Sequence, residues 1–517
     1  MSKPIRNIVI VGGGSAGWIV AGVLAARYPK RGDEGLAITL IESSSHAPIG
    51  VGEGTWPTIV STLKQIGVSE TDFLRECDAS FKQGSKFTRW VDGSESDFYC
   101  HPFTLPVDYA KDAHAPYWLE DPQGVSFGES VCYQTKLCLQ SLAPKLITTP
   151  EFGGVANYAY HLNAGKFGVF LRQHCVAKLG VTHVDDVIVQ VQSDESGDIA
   201  SLLTRSGSSL KGDLFIDCTG LSSLLLGKHF GVPFQSMKHV LFVDSAWAVQ
   251  VPYPRADAPI ASVTTSTAQS CGWVWDIGLS SRRGVGHVFA SDYTSESAAL
   301  AELQAYLGAR GENAKELGFR KIGIDPGYRK VFWTHNCVAV GLSAGFLEPL
   351  EASAIVLIEL SAQLIASMLP SCRASMDRAA TTFNDTFRYR WERIVDFLKL
   401  HYVLSRRSDT RFWIDNRRPE SIPDSLRENL DFWRHHCPWH DDFPHREEVF
   451  SAASYQYVLY GMGFRPEPTP WQLNESKRRL ARERFAETRR YAEALSATLP
   501  DNRELLGRIA RYGLQKI

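Results

Sequence analysis

The amino-acid sequence predicts an α/β fold with a mainly helical C-terminal module. Three observations predict it: an apolar run entering a glycine-rich turn near the N-terminus, strand-like runs recurring through the first two thirds of the chain, and helical periodicity from Pro349 onward. The first run, Ile8-Val9-Ile10-Val11, reads as a buried β-strand, and the segment from about Ser15 to Tyr28 reads as a helix. Between them stand Gly12, Gly14 and Gly17, at the spacing of a dinucleotide-binding turn. The first glycine permits the tight turn, the second lets backbone approach a pyrophosphate, and the third lets helix and strand pack closely. A second apolar run, Ala37 to Ile41, ends at Glu42, an acid placed to accept hydrogen bonds from a ribose hydroxyl. The same residues would also serve as a glycine-rich turn in an α/β domain without ligand.

Strand-like segments follow at Val187 to Val191, Leu214 to Cys218, Val240 to Val251, Gly272 to Ile277 and Val338 to Val340. Two of them run into small-residue turns, Asp217-Cys218-Thr219-Gly220 and Gly341-Leu342-Ser343-Ala344-Gly345. Either alone is equally a core strand with a glycine turn. Together with the first motif they favour a flavin over a nicotinamide cofactor, because FAD-binding Rossmann-like domains of the glutathione-reductase type bring distant strand ends back to one long ligand. Beyond Pro349, Leu350 to Leu369 and Phe383 to Leu404 read as buried helices, and Lys477 to Ala497 as a charged surface helix. The expected organisation is an FAD-binding domain over residues 1–375, with inserted substrate-site segments at about 80–155, and a helical module over 376–517.

A chain of 517 residues exceeds one ordinary core. A net charge of -2 offers no electrostatic attraction for nucleic acid or an anionic membrane. The apolar stretches read as interrupted short of a spanning helix, and the N-terminus enters the first strand without a signal-peptide pattern, so a cytoplasmic protein is expected. Ten cysteines without a Cys-x-x-Cys pair predict reduced, mostly buried thiols. His435, His436, Cys437, His440 and His445 match no standard zinc spacing. No metal site is expected there, but rather a solvated loop that helps shape a substrate entrance.

At the level of motifs the sequence resembles the flavin-dependent tryptophan halogenase family over most of its length. Gly12-Gly13-Gly14-Ser15-Ala16-Gly17-Trp18 matches that family's opening motif, and Ile49-Gly50-Val51-Gly52-Glu53 its flavin-contacting loop. Gly272-Trp273-Val274-Trp275-Asp276-Ile277 resembles its double-tryptophan signature. Ser80-Phe81-Lys82-Gln83-Gly84 and Phe346-Leu347-Glu348-Pro349-Leu350-Glu351 resemble the segments carrying its catalytic lysine and glutamate. The resemblance implies an enzyme that takes reduced FAD from a separate flavin reductase, uses O2 to oxidise a halide ion to hypohalous acid, and delivers it to a small aromatic substrate. A single-component flavin hydroxylase is the alternative, and a homodimer is left open.

Carried over residue by residue, the resemblance assigns Lys82 to holding or capturing the electrophilic halogen, and Glu351 to orienting it or stabilising the cationic arene and accepting its proton. Gly12, Gly14, Ser15, Ala16, Gly17, Glu42, Gly50, Glu53, Val187, Leu342 and Ile355 fall at flavin-contacting positions, and Ser353 and Ala354 at the halide. His101, Phe103 and Phe450 fall at the substrate ring. Glu351, following Pro349, is expected near the start of a long helix, where exposed N–H groups favour an anion. Trp273 and Trp275, two apart on a strand, face the same way, and serve either near the flavin or as plain core.

Three departures from the family stand out. Gly278 replaces the proline that usually ends the double-tryptophan signature, which is expected to loosen that turn. Ala354 replaces a glycine and adds a methyl group beside the halide, which leads to an expected preference for bromide. The stretch holding Pro438, Trp439, His445 and Val449 lacks an evident clamp for an amino-acid backbone, so indole or another electron-rich arene is the expected substrate.

Overall fold

The computed structural model describes residues 4–29, 35–44, 52–120, 124–445, 448–467 and 473–516. Gly50, with its neighbours Ile49 and Val51, lies outside the described residues. The chain packs into two compact units, one of residues 1–79, 162–237 and 325–391, the other of 80–161, 238–324 and 392–517. Where the sequence suggested a boundary at 375/376, a single helix runs Arg373–Val403.

The first unit is built on a six-stranded sheet. Its order is Trp333–Thr334, Cys337–Ala339, Leu214–Asp217, Asn7–Val11, Ala37–Glu42 and Thr182–Asp185, parallel except at the first pair. Ile10 lies between Ile216 and Leu40, so the central strand is buried on both faces, as its unbroken apolar run requires. The helix Ser15–Arg27 is apolar on all sides, and it packs against the helices Ala164–Leu179 and Ser353–Ser367. Parallel register places the C-terminal ends of three strands, Val11, Glu42 and Asp217, at one edge of the sheet. In an open α/β sheet that edge is where ligands bind.

The second unit centres on a seven-stranded sheet, in the order Arg320–Gly323, Ser245–Pro252, Arg282–Phe289, Gly272–Gly278, Thr264–Gln269, Gly84–Thr88 and Phe98–Pro102. All pairs are antiparallel except Thr264–Gln269 with Gly84–Thr88. The helix Glu296–Gly308 covers one face through Leu303, Tyr306 and Leu307, against Val249, Val251, Val274 and Val285. The long charged helix read from the sequence is present as Glu475–Ser496.

Several sequence expectations are corrected. The strand expected from Val240 starts at Ser245. The helix expected from Leu350 to Leu369 is interrupted: Glu351 (φ 62°) and Ala352 (φ 56°) are left-handed, and the continuous helix is Ser353–Ser367. Among the described residues the Leu350–Ser367 stretch is long and apolar enough to cross a membrane by length and composition, contrary to the reading that no run is long enough, and 67% of it is buried within the protein. Gly278 is no loosened turn. It pairs with Arg283 at the end of its strand, and a Cβ there would sit 3.0 Å from Ile260. All ten cysteines are free, eight of them buried.

Candidate active site

In the first unit the glycine turn has the shape its sequence demands. Gly12 has φ of 109°, and a Cβ on it would lie 2.2 Å from the Cys218 carbonyl oxygen, so the turn is closed to any side chain. A Cβ on Gly17 would lie 1.9 Å from the Gly12 carbonyl oxygen, which is the close helix–strand approach expected of the third glycine. At Gly14 a Cβ would meet nothing within 4 Å. The helix begins at Ser15 and Ala16 with no side-chain cap and no acid in its first turn, leaving its dipole to an incoming anion.

Glu42 ends its strand with Oε1 3.0 Å from His183 Nε2 and 3.6 Å from an Arg172 guanidinium nitrogen. Its carboxylate also crosses Gly13, where a Cβ would stand 1.7 Å from Oε2. Asp186, beside Val187, donates its N–H to the Glu42 carbonyl at 2.9 Å, so Val187 is brought to the same sheet edge as Glu42. Glu53 lies on the short strand Gly52–Gly54, and desolvation pushes its carboxyl up to about 7.

The residue that ties the turn after Leu214–Asp217 to the turn after Cys337–Ala339 is one the sequence reading passed over. Asp217 is fully buried, and its carboxylate accepts five hydrogen bonds: from Thr219 N (3.0 Å), Thr219 Oγ1 (2.7 Å) and Ser343 Oγ (3.0 Å) on one oxygen, and from Leu225 N and Leu226 N (both 2.8 Å) on the other. Ser343 belongs to the turn Gly341–Ser343, which holds Leu342, and a Cβ on Gly341 would come 2.9 Å from Cβ of Ala16. The two later strand ends therefore converge on the first glycine turn. This cradle, open at Gly14 and closed to side chains around it, fits a dinucleotide such as FAD.

Glu351 is buried on the left-handed corner, outside the helix rather than in its first turn. Non-glycine residues held left-handed cost of order 1–3 kcal/mol each, so this corner is maintained by its surroundings. The Trp56 indole N–H donates to the Glu351 carbonyl at 2.6 Å. The helix that follows starts at Ser353, with Ala354 exposed and Ile355 buried, and its N-terminus has no side-chain cap and no acid in the first turn. An anion is favoured at such an end.

In the second unit Lys82 is 1% exposed, on the strand Ser80–Lys82. The strand and the residue after it are clamped. Ser80 Oγ donates to the Gly278 carbonyl at 2.5 Å, the Phe81 carbonyl accepts from Asn502 Nδ2 at 3.0 Å, and Gln83 donates from Nε2 to the Leu142 carbonyl at 2.6 Å. Lys82 Nζ lies 5.2 Å from the centre of the Phe103 ring, a cation–π geometry. His161, fully buried and paired with Ser80 across the sheet, hydrogen-bonds Thr264 Oγ1 at 2.9 Å. Burial and, second, the Lys82 charge hold this imidazole well below its ordinary 6.5, so it is neutral.

His101 and Phe450 are brought together through a ring absent from the sequence reading, Phe397. It stacks on Phe450 with centroids 3.7 Å apart and lies 5.9 Å from His101, which is itself 5.9 Å from Tyr457. Phe103 joins the Lys82 strand, its N–H donating to the Gln83 carbonyl at 3.0 Å. Phe397 carries no signal beyond its helical position, which marks it as core. Trp273 and Trp275 are both buried in this unit, their rings 6.5 Å apart, with Trp275 lying over Gly286.

Several polar groups among the described residues of the 433–460 region are engaged with one another. Asp442 lies 3.0 Å from both Trp433 Nε1 and His436 Nε2 and accepts from the Trp439 N–H at 3.1 Å, while Tyr460 Oη is 3.1 Å from Cys437 Sγ. Among the described residues no group of three or more His, Cys, Asp or Glu side chains is placed to hold a metal ion.

A parallel sheet whose strand ends converge on one capless glycine turn defines a dinucleotide-binding protein of the flavoprotein kind. Comparison with known proteins makes this specific. The sequence model of the tryptophan halogenase family matches residues 7–475. The 7-chloro-L-tryptophan 6-halogenase KtzR of Kutzneria sp. (strain 744) is 32% identical, over 97% of this chain and 99% of its own. The crystal structure of a tryptophan halogenase from Shewanella frigidimarina NCIMB 400 superposes with a TM-score of 0.96 at 49% identity, covering 100% of this chain and 99% of that one. BrvH, a flavin-dependent halogenase from Brevundimonas sp. BAL3, gives 0.85 at 34% identity, covering 98% and 99%. The chain belongs to the tryptophan halogenase family. It is an enzyme, a flavin-dependent halogenase, and the hydroxylase alternative is not favoured.

Proposed function

We propose that this halogenase takes FADH2 from a separate flavin reductase and, with O2 and a halide ion, halogenates an electron-rich arene of the indole type. Bound at the glycine cradle, reduced FAD supplies the electrons with which O2 converts halide to hypohalous acid. Gly12, Gly14, Ser15, Ala16 and Gly17 bind its pyrophosphate, Glu42 its ribose, and Gly50, Glu53, Val187, Leu342 and Ile355 further parts of it. Ser353 and the backbone of Ala354 hold the halide at the capless helix end. Lys82 holds or captures the electrophilic halogen and passes it to the ring. Glu351 stabilises the cationic arene and takes the proton that leaves the ring carbon.

The observation that carries this reading is the burial of Lys82 beside the Phe103 ring and neutral His161. A lysine is rarely buried for packing alone, and an oxidised halogen needs a water-poor surrounding to survive until it meets the substrate. For the substrate, His101, Phe103 and Phe450 offer aromatic surface, while Asp442 and Tyr460, two polar groups of the 433–460 region, are already engaged. Tryptophan itself is the second reading, favoured by the name of the Shewanella frigidimarina tryptophan halogenase. The Ala354 methyl group beside the halide argues for bromide over chloride.

Mass spectrometry of products from indole and from tryptophan, with FAD, a flavin reductase, NADH and either bromide or chloride, tests all three points. Halogenated indole, formed faster in bromide, is the expected result. Efficient halogenation of tryptophan with indole untouched would refute the substrate reading, and a chloride rate equal to that in bromide would refute the halide reading.

A further inference from the structure

Among the described non-glycine residues with positive φ, Glu351 and Ala352 are the one consecutive pair. Their own sequence does not favour this corner. Leu350 to Leu369 has the periodicity of one continuous helix, and in that helix the Glu351 carbonyl would accept the Ile355 N–H, four residues on. Here that carbonyl instead accepts the indole N–H of Trp56 at 2.6 Å. Trp56 comes from a braced segment. The helix Thr58–Ile66 that follows it is tied to the helix Ser353–Ser367 by Thr58 Oγ1 and Thr62 Oγ1 donating to Glu359 (3.0 and 2.5 Å), and by Gln363 Nε2 donating to Gln65 Oε1 (2.6 Å).

We propose that Trp56 is a positioning residue that selects the left-handed corner over helical continuation, and so fixes both the Glu351 carboxylate and the point at which the Ser353–Ser367 helix begins. Continuation by one residue would consume the Ile355 N–H and draw Ala352 into the helix, and continuation by two would place Glu351 on the helix face and pair the Ala354 N–H with the Leu350 carbonyl. The indole competes for the one carbonyl whose capture starts that continuation. This inference rests on the reading of Glu351, Ser353 and Ala354 as functional residues. It adds a positioning residue that acts through the Glu351 carbonyl.

The test is steady-state halogenation with varied halide on Trp56→Phe, alone and combined with Ala352→Gly, beside fluorescence titration of FAD binding. Removing one such hydrogen bond is expected to raise KM for halide and lower kcat/KM by about 10-fold, with FAD affinity unchanged. Glycine takes the left-handed conformation without penalty, so Ala352→Gly in the Trp56→Phe background is expected to recover most of that loss. A Trp56→Phe enzyme with unchanged kcat and KM, or a loss that is the same with and without the Ala352→Gly change, would overturn the proposal. Should Trp56→Phe fail to fold, Ala352→Val carries the test with Trp56 in place. A β-branched residue opposes the left-handed corner, so it is expected to raise KM for halide likewise, and no change would overturn the inference. Glu351→Gln separates the two levels: if it halogenates at the wild-type rate, the assignment of Glu351 fails, whatever Trp56 does.

Discussion

Replacing Asp217 by Asn tests whether one buried carboxylate joins two strand-end turns of the flavin cradle. The substitution keeps the side-chain shape but turns one acceptor oxygen into an NH2 group. On one side that NH2 would face the N–H groups of Leu225 and Leu226, on the other Thr219 and Ser343. Facing Leu225 and Leu226, the NH2 ends two hydrogen bonds to a charged group, worth about 1.5–3 kcal/mol each; facing Thr219 and Ser343, whose hydroxyls can turn to accept, it ends the one from the Thr219 N–H, and in both cases the remaining bonds lose their charge. Relaxation returns part of this, leaving a net loss of about 3 kcal/mol. At 2–4 °C per kcal/mol for a domain of about 150–250 residues, Tm should fall by about 6–12 °C. The assay is scanning calorimetry with and without FAD, together with FAD titration. Because the turn holding Ser343 also sets Gly341 against Ala16, FAD affinity should weaken as Tm falls. A Tm within about 2 °C of wild type and unaltered FAD binding would refute the reasoning.

Glu359 is buried, and desolvation pushes its carboxyl up to about 8 against the hydrogen bonds from Thr58 and Thr62. The native state therefore binds a proton that the unfolded chain releases above its ordinary 4.5, so this group's contribution to stability is full below 4.5 and is lost as pH rises towards 8. Glu359→Gln should leave stability at acidic pH nearly unchanged and gain over wild type as pH rises, by at most about 5 kcal/mol. Denaturant unfolding from pH 5 to 9 measures it, and a gain that shrinks with rising pH would contradict the assignment. Gly286→Ala should destabilise the second unit by about 3 kcal/mol or more, because the new Cβ would lie 2.1 Å from Trp275 Cζ2 on one side and 2.6 Å from the Trp247 carbonyl on the other. Thermal unfolding checks it, and a variant as stable as wild type would show that the tryptophan shifts at no cost.

How much of this was legible in the sequence depends on whether the information is local. Gly12, Gly14, Gly17 and Glu42 could be placed because a strand, a tight turn and a helix within a few dozen residues each leave their own pattern. The strands at Leu214 and Val338 were legible as strands, but Asp217 looked like one polar residue in a turn. Its role depends on Ser343, far away in sequence. The corner at Glu351 was read as helix because propensity and periodicity favour a helix there, and only Trp56, nearly three hundred positions earlier, says otherwise. Val240 was read as strand from its apolar neighbours, yet its carbonyl is held at 3.0 Å by the buried ammonium of Lys399. Phe397 is not legible in the sequence because a ring facing Phe450 has the same sequence signature as any core phenylalanine. Lys82 itself came from family resemblance, since nothing local distinguishes it from a solvated lysine.

The central claim is that Lys82 carries the halogen to the arene. Mass spectrometry of the products formed by Lys82→Ala, with FAD, reductase, NADH, bromide and indole, alongside titration of FAD binding, tests it most directly. No halogenated indole is expected, while FAD binds with wild-type affinity, since Lys82 lies on a strand of the second unit and the glycine cradle in the first. Halogenated indole formed by Lys82→Ala at the wild-type rate would contradict that claim.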